Sequence, residues 1–316
     1  MLTLEAVRVL KEVKKYFSRL GWTLLLSQVI MLLVVYGLEA IQAVVFAWIY
    51  PDASAYDINW MIYESGLSLL LGALCSIGPL LLLRLDGLKE RFLHEERAVS
   101  FQRMMLFFLL VMGLQLVASL LTVPFEWVTN LLGGSFYEAS ETASAASVTT
   151  SMLLYTVLIA PFCEELIYRG FILQYLRPCG KTFAIVVSSV LFGLMHGNVI
   201  QLPMAILCGC LFGFVAVEYS LPASMVLHAL TNLSVEAVGW VSTVDEMLGN
   251  TCNSALTAFG LIALLLTLSL HKADIQAYCM QHHAPEGSLR CFLSAPPVLL
   301  LIAYLVILTG MSITPL

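Results

Sequence analysis

Long apolar stretches, separated by short polar segments, run through the whole chain. A helix needs about 20 predominantly apolar residues to cross the hydrocarbon core of a bilayer. Nine stretches are candidates, of which the fifth and sixth are short: 22–48, 66–83, 104–124, 151–173, 182–197, 202–217, 223–241, 252–270 and 295–310. The pattern therefore predicts an all-α fold, a polytopic transmembrane helical bundle of eight or nine spans.

The residues before the first stretch have a different pattern. Apolar side chains recur at helical spacing from Leu4 to Leu20, with lysines and arginines on the neighbouring positions. This arrangement is typical of an amphipathic helix that lies in the membrane interface. The apolar run that follows is far longer than the roughly 7–15 residues of a signal-peptide core, so we expect an uncleaved anchor.

Composition and charge support a membrane protein. The 316 residues are 60% hydrophobic and 11% charged, with a mean hydropathy of +0.91, whereas soluble domains are about 25% charged. If the N-terminus is cytoplasmic, the lysines and arginines all fall on the cytoplasmic side, where such residues are retained. We expect an integral protein of a bacterial or archaeal plasma membrane, with no nucleic-acid partner. The eight cysteines include no CxxC pair and imply no disulfide framework.

Ionisable residues interrupt the apolar pattern in three places. Glu164, Glu165 and Arg169 lie in the fourth stretch, His196 ends the fifth, and His228 lies in the seventh. A charged side chain at the bilayer centre costs about 2.5–3.5 kcal/mol on insertion scales, so such residues are usually paired or functional. Each histidine alone would be read as a packing residue, but their occurrence together with the acids favours a functional cluster.

Helical spacing assigns different surroundings to the two acids. Residues four apart lie on one helix face, about 5–6 Å apart at Cβ, so Glu165 can reach Arg169 while Glu164 is rotated off that face. The same spacing aligns His228 with Asn232. Glu236 extends this stripe by one turn, and it either touches the site or faces a water-filled cavity.

The three elements occur in a specific order on successive stretches. Glu-Glu-x-x-x-Arg is followed by Phe-x-x-x-His, beginning at Phe192, and then by His-x-x-x-Asn. Together they resemble the CPBP family, which comprises CAAX prenyl endopeptidases and bacteriocin-processing enzymes and is also called the type II CAAX endopeptidase or Abi family. The resemblance covers about residues 150–240. It implies an intramembrane peptidase whose site opens toward the cytosol, and it carries over to six positions: Glu164, Glu165, Arg169, His196, His228 and Asn232.

The apolar stretches and the resemblance together divide the chain into four regions. We expect the interfacial helix at 1–21, a three-span region at 22–150, a four-span catalytic core at 151–241 and a two-span region at 242–316. The expected substrates are lipidated protein C-termini or membrane-associated leader peptides, met within the lipid bilayer.

The residue types suggest roles in peptide hydrolysis. Glu164 would take a proton from water that His196 helps to position, and His228 and Asn232 would donate to the oxyanion. Glu165 and Arg169 would hold the fourth span in register. Alternatively, Glu164, His196 and His228 could bind one divalent metal such as zinc, and the sequence leaves this choice open.

Other functions and chemistries have less support. His94-Glu95-Glu96-Arg97-Ala98 begins like the zinc motif H-E-x-x-H but ends in alanine. No intramembrane Gly-x-Gly-Asp or Gly-x-Ser-Gly motif is present. A non-proteolytic scaffold or immunity protein with the same fold is the main alternative. A transporter would predict inverted repeats, and the sequence has none that we recognise.

The depths of the two histidines disagree on simple helix geometry. If the fifth span begins near Thr182, His196 lies about 20 Å from the cytoplasmic end, whereas His228 lies only about 8 Å from Ala223. We therefore expect one of these helices to begin below the membrane surface. Such a backbone is tolerated where it lines a cavity, so we predict a wide, water-accessible cone on the cytosolic side.

Overall fold

The structure is a computed structural model that describes residues 4–83, 97–136 and 147–315. The described chain is almost wholly helical, and it confirms the predicted all-α class and an integral membrane protein. The elements are α1 (Leu4–Ile49), α2 (Ala55–Ser65), α3 (Leu67–Ser76) with a 3₁₀ turn at Gly78–Leu83, α4 (Phe101–Leu131), β1 (Gly134–Ser135), α5 (Thr150–Cys179), α6 (Lys181–Met195), α7 (Gln201–Glu218), α8 (Leu221–Val244), α9 (Glu246–Leu270), α10 (Lys272–Gln281), α11 (Ser288–Leu293), α12 (Pro296–Gly310) and β2 (Thr314–Pro315).

The predicted number of spans, eight or nine, is not confirmed. By length and apolar composition, five helices of the described ranges can cross a membrane, or six if α2 and the α3 segment, bent by 48°, form one span. Helices α6 and α12 have 15 residues each, about 22 Å, which is shorter than the roughly 30 Å hydrocarbon core. Helix α8 is long enough, but it carries the polar stripe that begins at His228 and is not among the five.

Helix α1 includes most of the segment predicted to be an interfacial helix, 1–21, and continues into the first predicted span. From Leu4 it runs for 46 residues without a break, about 69 Å. Phe17 is fully buried, with its ring 5.4 Å from that of Phe292, so part of the apolar face packs on protein rather than on lipid. Gly21 does not end the helix. It lets α1 approach α12, where an added Cβ would lie 2.7 Å from the backbone nitrogen of Val298.

The ends of several helices meet at one end of the bundle. The Nζ of Lys181 lies 2.7 Å from a carboxylate oxygen of Glu218, and the Tyr278 hydroxyl donates to the same oxygen at 2.8 Å. These contacts join the start of α6, the end of α7 and α10. The charge pattern predicts that these segments share a side of the membrane; that this side is cytoplasmic stays a prediction.

Helix α5 is irregular, and its irregularities flank the two acids. Two π-helical segments, Tyr155–Ile159 and Leu166–Leu173, enclose the short α-helical segment Ala160–Glu165. Pro161 has no N–H to donate to the preceding turn, and the first π segment lies directly before this turn. Such π segments are frequent at functional sites. Glu164 and Glu165 therefore stand at the end of a short regular segment between two widened ones.

Candidate active site

The Glu165 carboxylate is fully buried and has three partners. Arg169 Nη1 lies 3.0 Å from Oε1, as the spacing of four residues predicts, and both side chains are 0% exposed. His228 Nδ1 lies 3.0 Å from the same oxygen, and Ser224 Oγ donates to Oε2 at 2.6 Å. An ionised carboxylate can only accept hydrogen bonds. His228 Nδ1 is therefore the donor, and Nε2 is the nitrogen directed away from Glu165.

Arg169 is held on both sides by other helices. Its Nη2 donates to the backbone oxygen of Gly209 at 3.1 Å. Its guanidinium carbon lies 4.3 Å from the ring centroid of Phe192 and 5.6 Å from that of Phe212, within the range of cation–π attraction. The positive charge is thereby balanced by Glu165 and by two aromatic faces, so α5 is locked to α6 and α7.

Glu164 lies in different surroundings, as predicted. Its side chain is 21% exposed, and Oε2 lies 3.7 Å from His228 Nε2. It also lines a cavity of ≈ 40 Å³ between α1, α3 and α5. One imidazole thus lies between the two adjacent carboxylates, with Nδ1 toward the buried acid and Nε2 toward the accessible one.

The two histidines flank one phenyl ring. His196 directly follows α6, and its Nδ1 lies 2.8 Å from the backbone oxygen of Phe192. The Phe192 ring packs edge to face with His196 at 4.8 Å and with His228 at 5.8 Å between centroids. Helix α6 begins at Lys181 and α8 at Leu221. Both histidines thus pack against one residue of α6, and the depth at which either helix begins in the membrane stays a prediction.

Asn232 and Glu236 connect α8 to α5 and to the segment just before α5. Asn232 Nδ2 donates to the backbone oxygen of Thr156, in the first π segment, at 2.8 Å. The buried Glu236 carboxylate accepts from Ser147 N at 2.9 Å and from Ser147 Oγ at 2.7 Å. These hydrogen bonds join α8 to the chain just before α5, and a contact of Glu236 with the site or with a water-filled cavity stays a prediction.

The residues do not fit the predicted metal set. Among the described residues, no group of three or more histidine, cysteine, aspartate or glutamate side chains is placed to hold a metal ion. His228 Nδ1 is engaged by Glu165, and His196 Nδ1 by a backbone oxygen. These contacts leave Nε2 of each histidine as its possible ligand atom, but with Glu164 the two histidines form no such group within the described ranges.

The predicted wide cytosolic cone stays a prediction, and the cavity that contains Glu164 is small. The cavity at Glu164 has room for only a few water molecules. Two larger grooves, of ≈ 520 and ≈ 660 Å³, border residues 246–254 and 124–134 and contain none of the predicted site residues. The imperfect zinc motif that begins at His94 lies mostly outside the described residues.

The sequence interpretation missed several contributors. Ser224 precedes His228 by four residues, so extending the stripe backwards would have found it. Phe192, which begins the Phe-x-x-x-His motif, is buried and contacts both histidines and the arginine. Gly209 and Phe212 carry no local signal, because only the packing of α7 against α5 brings them to Arg169.

One comparison with known proteins finds a similarity to a family. Residues 146–234 match the family model described as type II CAAX prenyl endopeptidase Rce1-like. The matched segment contains all six predicted site positions. No curated protein and no solved structure match the chain.

Proposed function

We propose, because residues 146–234 match the family model of Rce1-like type II CAAX prenyl endopeptidases, that this protein hydrolyses peptide bonds in lipidated C-termini or membrane-associated leader peptides. The family is one of intramembrane CAAX-type proteases. The observation that carries the mechanism is the contrast between the two adjacent acids. Glu165 is neutralised by Arg169, whereas Glu164 is partly accessible and lines a cavity.

In this mechanism Glu164 is the general base. It takes a proton from a water molecule as the water oxygen attacks the carbonyl carbon of the scissile bond. When the tetrahedral intermediate collapses, the carbon–nitrogen bond breaks and Glu164 returns the proton to the leaving amine. The carboxylate ends the cycle in its starting form. His196, on the other side of Phe192, helps to position the water and substrate.

His228 and Asn232 stabilise the oxyanion. With Nδ1–H donated to Glu165, His228 can also carry a proton on Nε2 and donate it to the developing negative charge. In that form the buried charges of Glu164, Glu165, Arg169 and His228 sum to zero, which limits the cost of placing them in a membrane. Asn232 donates one N–H to Thr156, and its amide nitrogen retains a second N–H for the oxyanion.

The substrate and the sidedness are part of the proposal. The family match supports a prenylated or otherwise membrane-associated peptide. The distribution of lysine and arginine supports a cytoplasmic N-terminus and an active site that receives its substrate from the cytosol. The proposed location is a bacterial or archaeal plasma membrane.

A cleavage assay with purified protein tests this function. Peptides with and without a prenyl group are incubated with the protein in liposomes, and the products are identified by mass spectrometry. Glu164→Gln should lower cleavage by at least about 10²-fold, the usual contribution of a general base. Glu126→Gln, which changes an exposed acid on α4, is the matched control and should cleave at the wild-type rate.

The same assay with a chelator tests the metal-free form of the mechanism. We expect unchanged cleavage, because the described residues gather no three-ligand site. Loss of cleavage with the chelator and recovery with added zinc would show that a metal activates the water. Full activity of Glu164→Gln would overturn the proposed function of this carboxylate.

A further inference from the structure

The cavity beside Glu164 is closed by residues from outside the family-matched segment. Helix α5 supplies one wall with Glu164, Tyr155 and Tyr168, and the other wall comes from α1 and α3 and includes Gln28. The volume is ≈ 40 Å³. One water molecule needs about 10–15 Å³ of space accessible to a water-sized sphere, so the cavity has room for about three water molecules.

The polar groups of the cavity fall into two sets. Ser27 Oγ donates to the backbone oxygen of Ser76 at 2.6 Å, and Ser76 Oγ donates to that of Ala73 at 2.7 Å, so these hydroxyls are satisfied within the protein. The hydroxyls of Tyr155 and Tyr168 and the amide of Gln28 have no hydrogen-bond partner among the described residues, although they line the same cavity.

Unpartnered polar groups in an apolar setting are costly unless water satisfies them. An ordered water in such a cavity typically makes two to four hydrogen bonds, and Glu164, Tyr155, Tyr168 and Gln28 together offer that number. The cavity therefore has both the volume and the polar lining that retained water requires.

Tyr168 is placed to act together with Glu164. It follows Glu164 by four residues, and the 3.0 Å contact between Glu165 and Arg169 shows that residues four apart meet across this turn. The Tyr168 ring packs edge to face against Phe192, with 5.2 Å between centroids, which restrains the direction of its hydroxyl. Gln28 lies on α1, across the cavity from α5.

We infer that this cavity stores the water for hydrolysis, and that Tyr168 and Gln28 are positioning residues that hold it against the Glu164 carboxylate. The inference rests on the proposed function and adds to it a role for the N-terminal region. Helix α1 completes the site, because the wall opposite Glu164 belongs to it and to α3. A hydrolase within a membrane consumes one water per turnover, and a lined cavity beside the base keeps that water in place.

Kinetics of two variants test the inference. Tyr168→Phe and Gln28→Leu remove the polar groups with little change in volume. Each should lower kcat on the order of 10-fold to 100-fold, as expected when a reactant is misplaced, with KM unchanged because neither group is assigned a contact with the peptide. The matched controls are Tyr36→Phe, an exposed tyrosine of α1, and Gln115→Leu, a partly buried glutamine of α4; both should retain the wild-type kcat.

An experimental density map of the wild-type protein, at a resolution that shows ordered water, provides a second readout independent of activity. We expect water density in contact with Glu164, Tyr168 and Gln28. A dry cavity, or wild-type kcat in both variants, would overturn the inference. If Glu164→Gln is inactive while Tyr168→Phe and Gln28→Leu are fully active, only the inference about the stored water is rejected. If Glu164→Gln is active, the proposed function itself is rejected.

Discussion

Replacing Glu165 by glutamine is the sharpest test of the difference between the two acids. The change keeps the shape of the side chain and removes its charge. Arg169, 0% exposed and 3.0 Å from the carboxylate, then keeps a positive charge without its counter-ion. The new amide NH₂ must also face one of the groups that now donate to the carboxylate, at His228 or Ser224.

The expected loss is large on the scale of protein stability. Breaking a buried ion pair by removing one partner costs about 3–5 kcal/mol, against a total of about 5–15 kcal/mol for a typical folded protein. The two aromatic rings beside Arg169 recover part of this loss. Glu164→Gln should cost about 1 kcal/mol or less, because its side chain is partly exposed and its contact with His228, at 3.7 Å, is longer than a hydrogen bond.

Thermal unfolding in one detergent, with the peptide cleavage assay run in parallel, measures both effects. Glu165→Gln should unfold at a clearly lower temperature than the wild type and lose activity together with its fold. Glu164→Gln should unfold close to the wild type and be inactive. The reasoning is refuted if Glu165→Gln unfolds like the wild type, or if Glu164→Gln is the less stable of the two.

Two further substitutions test how the site is supported. Gly209→Ala would place a Cβ 3.0 Å from Arg169 Nη2 and should destabilise the folded protein by about 1–3 kcal/mol through overpacking. The control is Gly37→Ala, where nothing lies within 4 Å of the added Cβ. Equal unfolding temperatures of the two variants would contradict the close approach at Gly209. Glu236→Gln puts an NH₂ opposite the Ser147 donors and should lower the free energy of unfolding by about 1–3 kcal/mol, which thermal unfolding measures. Wild-type stability of this variant would contradict the inference that Glu236 holds the chain before α5.

Local helical periodicity predicted several contacts of the site from the sequence. The spacing of four between Glu165 and Arg169 is a property of one helix, and the ion pair forms as predicted. The stripe that begins at His228 also lies on one face of α8, and each of its members contacts α5 or the segment just before it. The family resemblance, which rests on the same spacings, is supported by the match to residues 146–234.

Other expectations depended on the relation between helices, which local periodicity does not decide. The depth argument treated α6 and α8 as independent rods, whereas His196 and His228 both pack against Phe192 of α6. The wide cone and the metal set both require three helices to converge at one point. The cone stays a prediction, and the described residues gather no group of three such metal ligands.

By itself, the sequence determined that this chain is an all-α membrane protein with two acids in different surroundings on one helix, because hydrophobicity and helical repeat are encoded by neighbouring residues. Tertiary structure alone decided that α1 continues without a break, that Gly209 admits Arg169, and that Gln28 stands across a cavity from Glu164. These features depend on how closely helices distant in sequence approach and at what level they meet. The packing of the whole bundle determines the distance between these helices and the level at which they meet, and neither can be predicted from a short stretch of residues.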